Sequence, residues 1–197
     1  MQAVSSPMNI KGICGASSNS VSAASSAAGS VNVVSRSPRA RLPIWSWFCR
    51  KRTKAVGVSA AVAVELQQAF LAFDAAPEQR VAILSAAGDR AFTAGADVGD
   101  LPELWRAIPG VGFQTDKPII AATSGWCVGG GIVLVMMCDL MVSAESTVFY
   151  YPEAKLGVTG GMISSLVTRM PHKLAMEMML LCSKVSAQRA DEVGFVN

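Results

Sequence analysis

Two glycine-containing turns carry the clearest potential for chemistry in this chain, Ala94-Gly95-Ala96 and Gly129-Gly130-Gly131. We predict that each follows a strand and precedes a helix. Backbone without side chains before a helix exposes free N–H groups at the positive end of the helix dipole. Two such turns could present N–H groups to one ligand oxygen and stabilise negative charge that develops on it. Phosphate binding is the other use of such turns, but neither G-x-G-x-x-G nor G-x-x-x-x-G-K-S/T occurs in the sequence.

A candidate acid/base is Glu153, which ends the stretch Phe149-Tyr150-Tyr151-Pro152-Glu153. The low polarity of these neighbours is expected to raise the pKa of the carboxyl into the range that suits proton transfer. Without further information, a surface loop residue or a helix-capping carboxylate is the commoner role at such a position. The chain has a single histidine, His172, which we expect on an exposed turn rather than in catalysis.

The glycine triplet lies in the middle of an uncharged segment that runs from Pro118 to Cys138. A length of that kind also meets the criterion for a membrane-spanning helix, about 18 apolar residues. Thr123, Ser124 and the glycines interrupt it, and no aromatic belt or basic flank marks its ends. We therefore predict a buried strand over 119–123, a glycine turn, and a buried helix that begins at about Ile132.

The remaining elements alternate between helical and strand patterns, which indicates an α/β fold. Val62, Leu66, Phe70 and Phe73 recur at helical spacing, and they predict a helix from Ser59 to about Ala75. Further expected elements are a strand over 81–84, a loop over 92–97, a short helix over 101–108, a strand near 140–142, and helices over 162–169, 174–181 and from 188.

Charge and cysteine usage exclude several classes of protein. The first 64 residues hold eight basic and no acidic residues, whereas the remainder holds nine basic and fourteen acidic ones. The net charge of +3 thus combines a basic leader with an acidic body, and it does not indicate nucleic-acid binding.

The five cysteines are widely spaced, and no C-x-x-C pair occurs. Reduced thiols fit this pattern better than disulfides or a zinc site, and we expect Cys127 and Cys138 to be buried packing residues.

The composition divides the chain into a leader, residues 1–41, and a domain, residues 42–197. The leader contains eleven serines and no apolar period, so it is expected to be disordered. Its basic, serine-rich and acid-free character is typical of a transit peptide. A segment that is not native to the domain is the other interpretation. The compartment follows from this choice, an organelle matrix in the first case and the cytoplasm in the second.

Four motifs in register resemble the successive signatures of the crotonase (enoyl-CoA hydratase/isomerase) superfamily. They are Ala91-Phe92-Thr93-Ala94-Gly95-Ala96-Asp97, Lys117-Pro118-Ile119-Ile120-Ala121-Ala122, the segment from Gly125 to Asp139, and the segment from Phe149 to Gly157. The resemblance extends from about Thr53 to Asn197. It implies a ββα spiral core and an acyl-CoA substrate, with no cofactor beyond the coenzyme A of that substrate and no metal. A homo-oligomer, either a trimer or a hexamer, is also implied.

The same resemblance implies the site residues. The backbone N–H groups of Ala96 and Gly130 would hold the thioester carbonyl oxygen, and Glu153 would move the proton. Residues expected to contact the substrate are Lys54, Ala94, Gly95, Asp97 and Gly129. Family hydratases carry a second glutamate at the position that Val133 occupies here, so double-bond isomerisation is favoured over hydration.

Two other departures concern the ends of the chain. The opening strands are represented by Leu42–Cys49 at most, and the helices that follow the equivalent of Asn197 in the family are missing. We therefore expect a domain that is irregular at the N-terminus and truncated at the C-terminus. These departures leave two alternatives open, a catalytically inactive protein that binds acyl-CoA or another subunit, and a fragment that folds poorly.

Overall fold

The computed structural model describes residues 57–99 and 102–197, together with the backbone of two strands, Val31–Ser35 (β1) and Ile44–Cys49 (β2). β2 pairs antiparallel with β1 and parallel with the next strand in the sheet. β2 confirms that the segment from Leu42 to Cys49 contains a strand. β1 lies within residues 1–41, the segment whose composition predicts a disordered leader.

A five-stranded sheet with the order β1-β2-β3-β5-β7 forms one layer of the domain. Its further strands are Val81–Ala86 (β3), Ile119–Thr123 (β5) and Leu140–Ser143 (β7), and they pair in parallel. β5 covers the predicted range, and its side chains alternate between buried and half-buried positions. Parallel strands need a crossover between them, which the remaining elements supply.

A four-stranded sheet with the order β4-β6-β8-β9 forms a second layer. Its strands are Ala91–Thr93 (β4), Trp126–Val128 (β6), Val148–Tyr150 (β8) and Val185–Ser186 (β9). The strands β3 and β4, β5 and β6, and β7 and β8 are consecutive, and in each pair the first joins the large sheet and the second the small one. Helical segments follow these pairs, so the expected repeated ββα arrangement is confirmed.

The first long helix, Ala60–Ala75 (α1), buries the predicted apolar face against the core. Ser59 caps its N-terminus, because the Ser59 hydroxyl accepts a hydrogen bond from the Val62 amide. Lys117 caps its C-terminus from a distant loop: its ammonium group donates to the carbonyl oxygens of Phe73, Asp74 and Ala76 at 2.9, 2.7 and 2.7 Å. The loop that leads into β5 is thereby fixed on α1.

The central helix, Gly130–Met136 (α2), begins at the glycine triplet, two residues earlier than predicted. Its side chains from Ile132 to Met136 are all buried. Asp139 ties the end of this segment to β5, since its carboxylate accepts a hydrogen bond from the Ile119 amide and its own amide donates to the Ile119 carbonyl. Asp139 therefore has a structural role.

The last helices are His172–Leu181 (α3) and Ala187–Glu192 (α4). Over the ranges that the structure describes, three further helical segments have 3₁₀ geometry, Leu104–Ala107, Glu153–Leu156 and Gly161–Thr168. Two of them replace the α-helices predicted over 101–108 and 162–169, and β4 occupies the start of the predicted loop over 92–97. His172 is exposed at the beginning of α3, as expected, and Cys127 and Cys138 are buried. Among the described residues, none of the helices combines the length and apolarity that a membrane crossing requires.

Candidate active site

The first glycine turn follows β4 and is held by hydrogen bonds on both sides of Ala96. The Gly95 amide donates to the Thr93 hydroxyl at 3.2 Å, and the Asp97 amide donates to the Val58 carbonyl at 3.0 Å. Gly95 needs to be glycine because its φ is +96°, in a region that other residues rarely adopt. The Ala96 amide lies between these two and donates to no other described residue.

The second glycine turn follows β6 and leads into α2. The Gly129 amide donates to the Tyr150 carbonyl at 2.9 Å, which attaches the turn to β8. Gly129 has φ +57° and ψ −125°, a conformation that requires glycine. Gly130 is the first residue of α2, where an amide has no partner within the helix. In the described part of the chain, the Gly130 amide also donates to nothing else.

The two turns pack directly against each other through their backbones. A Cβ atom added at Gly95 would lie 3.2 Å from the Val128 carbonyl oxygen and 3.7 Å from the Gly129 Cα. A Cβ atom added at Gly130 would lie 3.9 Å from the Ala96 nitrogen. The two amides without partners therefore lie side by side, in a place where the absence of side chains permits close approach.

Glu153 reaches this place from the end of β8. A Cβ atom added at Gly129 would lie 2.6 Å from Glu153 Oε1, so the carboxyl rests against the bare backbone of the second turn. The other oxygen, Oε2, is buried and has no hydrogen-bond partner. Burial raises the pKa of the Glu153 carboxyl to about 6, against the opposing effect of a hydrogen bond from its own backbone amide. The expected direction of the pKa shift is confirmed.

The structure thus brings together Ala96, Gly130, Gly95, Gly129 and Glu153. The other predicted contact residues lie further out. Ala94 is exposed, and Asp97 is exposed with its Oδ1 accepting a hydrogen bond from the Gly99 amide at 3.0 Å. Lys54 lies outside the described residues. Val133, at the position of the second family glutamate, is buried on α2 with 5% of its surface exposed.

Two residues beside this site did not stand out in the sequence. Leu104 begins a 3₁₀ segment, and its Cδ2 atom would lie 2.5 Å from a Cβ atom added at Gly130. Tyr151 is buried, and its hydroxyl accepts a hydrogen bond from the Gly160 amide at 3.4 Å, which ties the two ends of the loop around Glu153. The Leu104 contact joins distant parts of the chain, and the Tyr151 contact closes a loop of nine positions, so no local periodicity predicts either contact.

Among the residues that the structure describes, neither a second cleft nor a cluster of metal ligands offers an alternative to this site. A cleft elsewhere is lined by parts of α2, β7 and the C-terminal residues, and none of the predicted site residues lines it. Within residues 57–99 and 102–197, no three His, Cys, Asp or Glu side chains lie close enough to hold a metal ion. The candidate site is therefore the place where the two turns meet Glu153.

Comparisons with known proteins agree with the fold. The sequence model of a family described as enoyl-CoA hydratase/isomerase matches residues 49–197. Carnitinyl-CoA dehydratases of Salmonella paratyphi A and Salmonella typhi are 35% identical over 158 residues, which cover 74% of this chain. The chain spans 60% of the length of these curated relatives.

Solved structures of enoyl-CoA hydratases have a similar fold. An enoyl-CoA hydratase from Mycobacterium tuberculosis H37Rv is similar with a TM-score of 0.73 and 32% identity, over 84% of this chain and 67% of that one. An enoyl-CoA hydratase from Bacillus anthracis has a TM-score of 0.73 and 27% identity, over 84% of this chain and 68% of that one.

Proposed function

The chain belongs to the enoyl-CoA hydratase/isomerase family, and from its site we propose that it binds an acyl-CoA thioester and moves a proton beside the thioester carbonyl. The observation that carries this proposal is the position of the Glu153 carboxyl against Gly129, next to the unpartnered amides of Ala96 and Gly130. A proton acceptor and two oxyanion donors are the groups that enolate chemistry needs.

The Ala96 and Gly130 amides are proposed to bind the thioester oxygen. When a proton leaves the neighbouring carbon, this oxygen becomes negative, and hydrogen bonds to it strengthen. Each such donor typically contributes about 3 kcal/mol to the stability of the transition state. The support here is that hydrogen bonds fix the flanking amides of Gly95, Asp97 and Gly129, so the two donors need little reorganisation.

Glu153 is proposed to be the acid/base. A carboxyl whose pKa is about 6 is largely ionised at neutral pH, yet it is a stronger base than an ordinary glutamate. The buried and unpartnered Oε2 favours protonation, because a neutral carboxyl costs less to bury than a carboxylate. Both protonation states are therefore accessible during a catalytic cycle.

Double-bond isomerisation is the proposed reaction. Glu153 would remove a proton from C2 of a 3-enoyl thioester, and the electron pair would pass into a dienolate whose oxygen the amides hold. The same carboxyl would return the proton to C4, giving the 2-enoyl thioester with no other reactant consumed. Hydration also needs a group that orients water, and the buried Val133 offers no such group.

The remaining contacts concern the rest of the substrate. Gly95 and Gly129 are proposed to contact the thioester with their backbones, with Ala94 and Asp97 at the exposed edge and Lys54 near the phosphates of coenzyme A.

The assembly proposed from the family resemblance is a trimer or hexamer, which analytical ultracentrifugation would test.

The decisive experiment compares Glu153→Gln with Glu145→Gln, which makes the same change at an exposed glutamate. We expect Glu153→Gln to lower the isomerisation rate of 3-enoyl-CoA thioesters by about 10²–10⁴-fold. Calorimetric binding of an acyl-CoA should be retained, and Glu145→Gln should behave like the wild type. Unchanged turnover in Glu153→Gln would overturn the proposed mechanism. Binding without turnover in the wild type would identify an inactive acyl-CoA-binding protein instead.

A further inference from the structure

Leu104 is the side chain that lies closest to the first residue of α2. A Cβ atom added at Gly130 would be 2.5 Å from Leu104 Cδ2 and 3.9 Å from Leu104 Cγ. The Ala96 nitrogen is also 3.9 Å from that position. Leu104 therefore covers the side of Gly130 on which the Ala96 amide also lies.

This contact, and not the backbone conformation, restricts the side chain that residue 130 can carry. Unlike Gly95 and Gly129, Gly130 does not have a positive φ, and a helical residue at this position could carry a side chain. The space for that side chain is taken by Leu104. A side chain at residue 130 would thus displace the Leu104 methyl group, whereas the positive φ of Gly95 and Gly129 requires glycine at those positions.

Leu104 is held in place by the segment that carries it. Ala107 and Ile108, three and four positions further on, are fully buried against the core. Arg106 donates a hydrogen bond to Gln67 on α1 at 3.3 Å, and Gln67 donates to the Gly112 carbonyl at 2.7 Å. The 3₁₀ segment is thereby attached to α1 on one side, while Leu104 at its start extends to α2 on the other.

We propose that the Leu104 side chain excludes water from the Ala96 and Gly130 amides. This exclusion would favour isomerisation of the substrate over its hydration. The inference rests on the proposed function of this site. Water that reaches the Ala96 or Gly130 amide would compete for its hydrogen bond and weaken the stabilisation of the oxyanion. Val133, three residues further along α2, is also apolar and buried.

Exclusion of water also decides the fate of the transferred proton. While Glu153 holds the proton taken from C2, access of water allows that proton to exchange with solvent. In a dry site the same proton returns to C4, and the product contains little hydrogen from solvent. The isotope content of the product therefore reports on water access in a way that overall stability does not.

The test is isomerisation of a 3-enoyl-CoA thioester in D₂O by the wild type, Leu104→Ala and Leu104→Met. We expect Leu104→Ala to raise the deuterium content at C4 several-fold and to lower kcat about tenfold, with a smaller change in KM. Leu104→Met keeps the volume and should restore both values. The matched control is Leu71→Ala, which makes the same truncation at a side chain of α1 that is 50% exposed, and it should behave like the wild type.

A second measurement tests the contact itself. Gly130→Ala should lower the melting temperature in the wild-type background and have a smaller effect in Leu104→Ala, because the collision partner is then gone. Leu104→Val serves the isotope assay if Leu104→Ala unfolds. Unchanged kcat and deuterium content in an active, folded Leu104→Ala or Leu104→Val variant would overturn this inference and leave the proposed function intact. Absence of turnover in the wild type would overturn both.

Discussion

The two glycine turns and the loop that carries Glu153 form the two sides of the candidate site, but they are built differently. In the glycine turns, residues 93–97 and 128–131, hydrogen bonds from Gly95, Asp97 and Gly129 fix the backbone. A Cβ atom added at Gly95, Gly129 or Gly130 would lie within 3.2 Å of a neighbouring atom. In the glutamate loop, residues 151–160, every residue from Ala154 onwards is exposed. The Glu153 carboxyl has a buried oxygen without a partner.

This difference separates two physical requirements of proton-transfer chemistry. Donors that stabilise an oxyanion must be fixed before the reaction, and rigid backbone packing achieves this. An acid/base must exist in two protonation states, and incomplete solvation of a carboxyl achieves that. We therefore expect the glycine turns to be sensitive to added volume and the glutamate loop to be sensitive to pH.

After Glu153→Gln, the largest effect is expected from Gly129→Ala, which brings the two sides into collision. The new Cβ atom would lie 2.6 Å from Glu153 Oε1 at a backbone φ of +57°. Displacement of the carboxyl by about 1 Å is expected to lower kcat/KM about 100-fold. Gly88→Ala is the matched control, since Gly88 has φ +84° with nothing within 4 Å of its added Cβ. Equal kcat/KM values for the two variants would contradict the proposed contact.

The pH dependence of kcat/KM should come from the glutamate loop. In its proposed role, Glu153 must be ionised to remove a proton, and burial raises its pKa to about 6. We expect kcat/KM to rise about tenfold per pH unit below this value and to level off above it. Steady-state kinetics between pH 4.5 and 8 would check this. A rate that is flat across pH 6 would show that another group moves the proton.

Glu153→Gln should also change stability, with a defined dependence on pH. The pKa of Glu153 is raised from its ordinary value of 4.5 to about 6, so the folded state holds the proton more tightly than the unfolded state. That contribution to stability is present below pH 4.5 and is lost as the pH rises through 6. At pH 8 the glutamine variant should melt about 1–3 °C above the wild type, and the difference should vanish near pH 4.5. Calorimetry at both pH values would measure it.

The smallest effect is expected from Asp97→Asn, at the outer edge of the first turn. The Asp97 side chain is exposed, and its Oδ1 accepts a hydrogen bond from the Gly99 amide, which asparagine can also do. We expect kcat/KM to stay within about twofold of the wild-type value. A rise in KM of tenfold or more would instead show that the charge of Asp97 binds substrate.

The elements with clear periodicity were predictable from the sequence. The apolar spacing of α1 gave its range to within one residue, and the uncharged run gave β5 over its full length. The four strands of the small sheet, β4, β6, β8 and β9, were not predicted, because two or three residues cannot display a period. The 3₁₀ geometry of residues 104–107 and 161–168 was missed because its apolar spacing resembles that of an α-helix.

The sequence by itself determined the residue types of this site: bare glycine backbone in two turns, a glutamate among aromatic residues, and Val133 where the family's hydratases have a second acid. These are local features, and they persist in any arrangement of the chain. Tertiary structure alone decided which of them meet. The approach of Gly95 to Val128, of Glu153 to Gly129 and of Leu104 to Gly130 joins residues that are 24 to 33 positions apart. Such contacts form because the parallel strands place β4, β6 and β8 side by side, and a single sequence does not encode that pairing in any local pattern.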